Sequence, residues 1–169
     1  MPRLAAPGDD WHASFVAAVR ELEVAGEPVP AASSTLSHPV GFHAFVAMLE
    51  TEADPEAPRR PGIVPQTTLW WVQGQEYLGR ISVRLRLNPS LEVVGGHVGY
   101  EVRPWARRRG HATAMLAAAL PLVHAMGIDP ALVTCAVTNE ASRRVIEANG
   151  GVPTHPLEPQ TLRFWVPTA

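Results

Sequence analysis

The sequence predicts a mixed α/β fold, of the α+β type, in which helices cover a central β-sheet. Apolar residues at helical spacing predict two helices near the N-terminus. β-Branched, aromatic and alternating runs then predict three strands between residues 67 and 102. From residue 110 onward the patterns alternate as helix, strand, helix and strand. With 169 residues, the chain is long enough for one domain with a substantial core.

The composition is that of a folded protein, with 46% hydrophobic and 18% charged residues. A net charge of −2 argues against a general nucleic-acid binder, while a local basic patch stays open. Cys135 is the only cysteine, so no internal disulfide can form. The chain has no apolar run near the ~20 residues of a membrane span and no signal-peptide pattern. We therefore expect a cytoplasmic protein that does not act on membranes.

Two N-terminal helices are expected to pack on the sheet. Asp9 or Asp10 can cap the first helix, which runs to about Ala25. Pro39 begins the second helix. Their apolar faces are Trp11, Phe15, Val19 and Leu22 in the first, and Phe42, Phe45, Val46 and Leu49 in the second. His43 lies beside the second face, where we expect a structural role.

Two segments are predicted to lack regular structure. Residues 27–37 are rich in proline, alanine and serine and read as a connecting loop. Residues 51–65 are rich in proline and acidic residues and predict a long loop or a mobile segment.

The strands begin with a hairpin. A run over residues 67–72 and a turn at residues 73–75 lead into a strand over residues 77–87 that alternates strictly. One face of this strand carries Ile81, Val83, Leu85 and Leu87, and the other carries Arg80, Ser82, Arg84 and Arg86. The arginine face can point to solvent or can line a pocket for an acidic acceptor, and the pattern leaves both open.

Residues 98–120 combine a strand, a basic turn and the start of a helix. The first N–H groups of a helix have no intrahelical partner and lie at its positive end. Gly110 and Ala112 leave room for a ligand to approach the backbone. Arg107, Arg108 and Arg109 add positive charge to the same turn. The segment therefore predicts a phosphate site, the alternative being a surface arginine cluster beside a helix of about residues 110–126.

The C-terminal part predicts three further elements. Residues 132–137 form a continuous apolar run, as in a buried strand. A short helix over residues 142–149 ends at a glycine pair, and a last strand covers residues 161–166.

Two motifs in these segments resemble the GNAT superfamily of N-acetyltransferases. Val102-x-Pro104-x-x-Arg107-x-x-Gly110-x-Ala112 is similar to the acyl-CoA pyrophosphate loop, whose pattern is Arg/Gln-x-x-Gly-x-Gly/Ala. The apolar strand followed by Asn139-x-x-Ser142 and a short helix resembles the later signature of the same superfamily. The resemblance covers about residues 67–166. The sequence is most similar to a little-described bacterial subgroup with a Gly-Gly-His and an Asn-Gly-Gly motif. These motifs are Gly95-Gly96-His97 and Asn149-Gly150-Gly151 in this chain.

The resemblance implies one GNAT-like domain over residues 1–169, with a central, mostly antiparallel sheet flanked by helices. It implies acetyl-CoA as the cofactor and CoA as the product. The histidines lack metal-binding spacing, so we predict no metal. In such proteins the region around residues 51–65 often shapes the acceptor pocket. The residues implied to bind the cofactor are Tyr100, Val102, Arg107, Arg108, Arg109, Gly110, His111, Ala112, Thr113, Asn139 and Ser142.

The predicted catalytic groups lie on the strand before the basic turn. Strand parity places His97 and Glu101 on one face, so these two are the candidate proton acceptors, directly or through water. Each has a structural alternative, a histidine bonded near the preceding glycine pair and a solvated or paired glutamate. Many relatives carry a tyrosine acid at the position of Ile146, which has no proton to give. Cys135 is expected to act as a small buried hydrophobe.

The resemblance implies direct transfer of the acetyl group to a primary amine within a ternary complex. The expected acceptor is a small-molecule or peptide amine, with no nucleic acid as partner, and a homodimer stays open. A catalytically inactive CoA-binding module is the alternative, supported by Ile146. A nucleic-acid contact through the arginine cluster is a third interpretation, and such binding should weaken steeply with salt.

Overall fold

The computed structural model describes residues 1–169 and contains seven strands and six helices. The strands are β1 (Arg3–Ala5), β2 (Gln66–Gln73), β3 (Glu76–Arg84), β4 (Val98–Val102), β5 (Ala131–Ala136), β6 (Val152–Thr154) and β7 (Thr161–Val166). The helices are α1 (His12–Ala25), α2 (Ser33–Leu36), α3 (Pro39–Ala53), α4 (Pro89–Val93), α5 (His111–Ala125) and α6 (Glu140–Ala148). Two short 3₁₀ turns, Asp9–Trp11 and Pro104–Ala106, precede α1 and α5.

All seven strands form one sheet in the order β1-β2-β3-β4-β5-β7-β6. Every neighbouring pair is antiparallel except β4 and β5, which are parallel. The mixed α/β class and the mostly antiparallel sheet are therefore confirmed. β4 and β5 share a single ladder pair, Val98 with Val133, and do not pair beyond it.

Helices cover both faces of the sheet, because strand side chains alternate between two cores. On one face, α1 and α3 pack on Trp70 and Tyr77 through Phe15 and Phe42. On the other face, α5 and α6 pack on residues such as Ile81, and this core also holds Met115, Leu116, Ile146 and Phe164. None of the helices combines the length and apolar character that a membrane-spanning segment needs.

The N-terminal helices match their predicted faces, but the predicted cap is wrong. The predicted face of the first helix is buried, yet α1 starts only after the 3₁₀ turn that holds Trp11, and no side chain caps it. Asp9 instead lies 3.1 Å from Nε2 of His43, and both side chains of this pair are exposed. The sequence patterns did not predict three elements, namely α2, α4 and β6.

The helix α3 continues to Ala53, so the loop predicted over residues 51–65 begins only at Asp54, and it is held against the end of that helix. The guanidinium of Arg59 donates to backbone carbonyls of the last helical turn, including that of Glu52 at 3.1 Å. It also donates to the carbonyl of Ala57 at 2.8 Å. Asn88, the N-cap of α4, donates to the carbonyl of Gly62 at 2.6 Å. The loop is thus tied to the fold at two points.

Candidate active site

A cleft opens where β4 and β5 separate after Val98. On the other side of β4, odd-numbered residues bond to β3, as in the bond of 3.0 Å from Arg103 N to Leu78 O. Because backbone groups alternate along an antiparallel strand, those of Tyr100 and Val102 point into the cleft. The Val102 carbonyl has a partner there, since Nε of Arg107 donates to it at 2.9 Å. The cleft therefore has a wall of backbone donors and acceptors that no strand covers.

The cleft leads to the basic turn before α5. Arg108 and Gly110 both have left-handed backbone, with φ of 62° and 79°. The first backbone bond of α5 runs from Ala114 N to Gly110 O at 3.0 Å. The N–H groups of residues 111–113 precede that bond and have no intrahelical partner. A Cβ at Gly110 would meet no atom within 4 Å, so the helix start is open to a ligand. Free donors at the positive end of a helix make an anion site.

The arginines of this turn have different partners. Arg107 forms a bidentate ion pair with Glu27, with both N···O distances at 2.7 Å. This hydrogen bonding raises the pKa of Arg107 and lowers the pKa of Glu27. Arg109 stacks over the ring of Trp105, 5.0 Å from its centroid. Both Arg107 and Arg108 line the cleft, but the charge of Arg107 is already balanced by Glu27. Arg108 therefore contributes positive charge to the cleft.

Arg103 fixes the beginning of the turn, a role that the patterns did not indicate. Its side chain is only 4% exposed and pairs with Glu21 of α1. It also donates to Ser14 Oγ and to the Tyr77 carbonyl, each at 3.0 Å. The turn is thus anchored to the opposite layer of the fold.

Two cavities occupy the cleft. The larger, of about 630 Å³, is lined by every predicted cofactor residue except Arg109. Its other lining residues are Glu27, Glu101, Ala106, Ala141 and Val145. The smaller, of about 320 Å³, shares Tyr100, Asn139 and Ser142 with it. Glu27 was not predicted, since its partner Arg107 lies 80 residues away in the chain and no local pattern links them.

Tyr100 and Ser142 form the shared wall of the two cavities. The Tyr100 hydroxyl lies 2.7 Å from Ser142 Oγ, and burial raises the pKa of Tyr100 to about 12. Asn139, rather than Ser142, caps α6, because its Oδ1 accepts from Ser142 N at 3.0 Å. Ile146 is fully buried in the core and presents no polar atom to the cleft.

His111 and Cys135 also lie at the cleft. His111 is the first residue of α5, and its Nδ1 accepts from Nε1 of Trp71 at 3.3 Å. Burial, together with Arg109, lowers the pKa of His111. Cys135 lines the smaller cavity and is buried, and burial raises the pKa of its thiol. A thiol that stays protonated in this way agrees with the predicted role of a small hydrophobe.

The two predicted proton acceptors differ in their contacts. His97 lines neither cavity, and its Nδ1 accepts from the backbone N–H of Leu132 at 2.9 Å. Burial and the neighbouring Arg84 lower the pKa of His97. Glu101 lines the larger cavity and accepts from Arg80, with N···O distances of 3.1 and 3.0 Å. The geometry therefore favours the structural alternative for His97 and leaves Glu101 at the cleft.

A family model described as an acetyltransferase (GNAT) domain matches residues 44–152 of the chain. The chain belongs to the GNAT family of acetyltransferases. It is thus an acyltransferase, and the family predicted from the two motifs is confirmed. No curated protein matches this chain significantly.

Solved structures share the GNAT fold at low sequence identity. The ribosomal-protein-S5-alanine acetyltransferase from Vibrio fischeri is 13% identical, with 99% of this chain and 93% of that chain covered and a TM-score of 0.68. RimJ of Mycobacterium smegmatis in complex with CoA-disulfide is 16% identical, with coverages of 98% and 85% and a TM-score of 0.67. The microcin C7 self-immunity acetyltransferase MccE, in complex with acetyl-CoA and AMP, is 12% identical, with coverages of 96% and 90% and a TM-score of 0.66.

Proposed function

We propose that this GNAT protein transfers an acetyl group from acetyl-CoA to a primary amine, directly within a ternary complex. One observation carries the proposal. The uncovered backbone of Tyr100 and Val102 and the free N–H groups of residues 111–113 line one continuous cavity. Acetyl-CoA has an amide-containing arm followed by a pyrophosphate. The arm needs backbone hydrogen-bond partners such as those of the strand, and the pyrophosphate needs N–H donors such as those at the helix start.

The residues of the cleft fit the two ends of such a cofactor. The start of α5 would hold the pyrophosphate through backbone N–H groups, and Arg108 would add charge. The backbone of Tyr100 and Val102 would hold the amide groups of the pantetheine arm. When bound, acetyl-CoA supplies a thioester that is reactive toward a neutral amine. Two of the structural relatives are described with acetyl-CoA and another is described in complex with CoA.

Glu101 is the proposed proton acceptor, acting directly or through water. Glu101 is one of the residues that line the larger cavity, and the pair with Arg80 orients its carboxylate. His97 was the other candidate. Its Nδ1 already accepts a backbone hydrogen bond, so the neutral ring carries its proton on Nε2 and has no free lone pair. We assign His97 a positioning role at the start of β4.

Tyr100 and Ser142 are the proposed source of the proton for the departing sulfur. Ile146, at the position of the usual tyrosine, has no hydroxyl and lies in the core. The hydroxyl pair instead lines the wall common to both cavities. The raised pKa of Tyr100 keeps its hydroxyl protonated, so the hydroxyl can donate a hydrogen bond to the departing thiolate.

The acceptor is proposed to be a small-molecule or peptide amine. The structural relatives include the ribosomal-protein-S5-alanine acetyltransferase and a ribosomal L7/L12 alpha-N-protein acetyltransferase, whose names describe protein acceptors. They also include a self-immunity enzyme for microcin C7. We propose one catalytic domain over residues 1–169, since the single sheet takes strands from both ends of the chain.

Release of the CoA thiol from acetyl-CoA tests the function against the inactive-module alternative, which the buried Ile146 favours. The panel of amines contains amino acids, polyamines, aminoglycosides and short peptides, and acetylated products are identified by mass. Amine-dependent thiol release that Glu101→Gln lowers supports the transferase. Tight acetyl-CoA binding without amine-dependent release across the panel supports the binding module.

A further inference from the structure

Arg84 is a half-buried arginine that faces no carboxylate. It ends β3, and none of the ion pairs of the fold includes it. The two preceding residues on the same face of β3 are Ser82 and Arg80. Ser82 is uncharged, and Arg80 pairs with Glu101. Burial lowers the pKa of Arg84, as expected for a cation without an opposite charge. A guanidinium held in this way is a ready partner for an anion.

The guanidinium has one occupied side and one free side. Nη1 donates to the carbonyls of Gly95 and Gly96, both at 3.1 Å. Nε and Nη2 make no hydrogen bond, and neither is sealed off, since the buried polar atoms without a partner are Trp70 Nε1 and Arg163 Nε. The Nε–Nη2 edge is a planar fork of two parallel donors, which matches the two oxygens of a carboxylate.

This arginine lines the smaller cavity beside the hydroxyl pair. The guanidinium lies beside the backbone of Gly99, where a Cβ would be in van der Waals contact with Nη1 and Nη2, at 3.7 Å from each. The residues that line the cavity include four with hydroxyl groups and no aspartate or glutamate; the four are Tyr100, Thr134, Ser142 and Thr161. An anion in this cavity would therefore meet a cation and hydroxyl groups, without a repelling charge.

We propose that the acceptor is a small amine that carries a carboxylate close to its amino group, and that Arg84 binds this carboxylate through Nε and Nη2. The inference rests on the proposed transferase function and names the substrate class of that same site. Arg84 is then a specificity residue, because it contacts the acceptor without touching the reacting atoms. Its two carbonyl contacts hold the guanidinium in place before the acceptor arrives, which lowers the entropy cost of binding.

Matched acid and amide pairs test the proposal. Glycine, β-alanine and phenylalanine are each compared with their carboxamides, and O-phosphoethanolamine and taurine represent other anions. Each compound is titrated into CoA-saturated protein by calorimetry, and the thiol-release assay gives kcat/KM with acetyl-CoA. We expect at least one acid to bind about tenfold to 100-fold more tightly than its amide, with a similar ratio in kcat/KM.

Three variants separate recognition from structure. Arg84→Met should bring the acid-to-amide ratio close to one without changing acetyl-CoA affinity, and Arg84→Lys should keep part of the ratio, since it keeps the charge without the fork. Arg86→Met removes an arginine that lines neither cavity and should leave the ratio as in the wild type. If Arg84→Met does not fold, the acid-to-amide ratio of the wild type still tests whether the site prefers a carboxylate.

Several results would overturn the proposal. These are equal or weaker binding of every acid relative to its amide, preference for the phosphate or sulfonate over all carboxylates, and an Arg84→Met variant that weakens acids and amides alike. Acetylation of peptide amines without regard to a nearby carboxylate would also contradict it. If amides are acetylated and acids are not, the transferase function is supported and only the proposed carboxylate recognition is wrong. If acids bind but no thiol is released with any amine, the transfer itself fails.

Discussion

The hydroxyl groups of Tyr100 and Ser142 lie 2.7 Å apart and join β4 to the first turn of α6 across the cleft. A second contact of 3.2 Å runs from the Tyr100 hydroxyl to the backbone carbonyl of Ser142. The two residues lie 42 positions apart in the chain and line both cavities. The pair therefore marks the point where the cofactor arm and the acceptor would meet.

Removing both hydroxyls should slow the chemical step. For the double variant Tyr100→Phe/Ser142→Ala we expect kcat to fall about 100-fold, since general acid catalysis contributes on that order. The KM for acetyl-CoA should change little, because the backbone groups of the cleft remain. Steady-state kinetics measures both values. An acetyl thioester of an aromatic thiol needs less help to leave, so it should show a much smaller loss, and an equal loss would contradict the acid role.

Glu101→Gln should lower kcat about 100-fold near neutral pH while calorimetry shows unchanged acetyl-CoA affinity. The loss should shrink at higher pH, because more of the acceptor amine is then already neutral. The pH profile of kcat/KM measures this. A loss that stays constant across the profile would assign Glu101 to structure instead, through its pair with Arg80.

His97 should contribute to stability in a pH-dependent way. Its folded-state pKa is lowered, so the unfolded chain binds more protons and the free energy of unfolding rises with pH. The contribution is full above the unfolded pKa of about 6.5 and is lost as pH falls through the folded value. His97→Gln should cost about 1–2 kcal/mol at pH 8, because Leu132 N–H loses its acceptor. Chemical denaturation at pH 5 and pH 8 should show a smaller pH difference in the variant than in the wild type. An equal difference would contradict this account.

Glu27→Gln should strengthen acetyl-CoA binding by about threefold to tenfold. The substitution removes a carboxylate from the larger cavity and frees the charge of Arg107 for the pyrophosphate. Calorimetric titration measures the change. Glu23→Gln is the matched control, because that carboxylate lies in the last turn of α1, four residues before Glu27, and bonds to Ser33 outside the cavity. Weaker binding in Glu27→Gln would show that the ion pair holds the cleft in its binding form.

Much of this fold follows from local patterns. Helical periodicity predicts α1, α3 and α5, a β-branched and aromatic run predicts β2, and alternation predicts β3. The basic turn and the helix start that follows it are local as well, so nearly every predicted cofactor residue lines one cavity.

The remaining features depend on tertiary contacts. The helices α2 and α4 are only four and five residues long, and β6 is three residues with a proline, too short for a periodic signal. The separation of β4 from β5 depends on how two distant segments pair. The partners of Arg84, Arg103 and Arg107 likewise come from other parts of the chain, so their spacing alone could not distinguish a solvent-exposed cation from a site residue.

Calorimetric titration with acetyl-CoA, comparing the wild type with Gly110→Asp and Gly110→Asn, tests the central claim most directly. Asp and Asn both tolerate left-handed backbone, and a Cβ at position 110 has no atom within 4 Å, so the two variants have the same shape and differ in charge. Gly127→Asp places a carboxylate on similar backbone, with φ of 80°, beyond the opposite end of α5. We expect tight binding in the wild type, Gly110→Asn and Gly127→Asp, and a loss of about tenfold or more in Gly110→Asp, because its carboxylate faces the pyrophosphate. No binding in the wild type, or equal binding in all four proteins, would contradict the account.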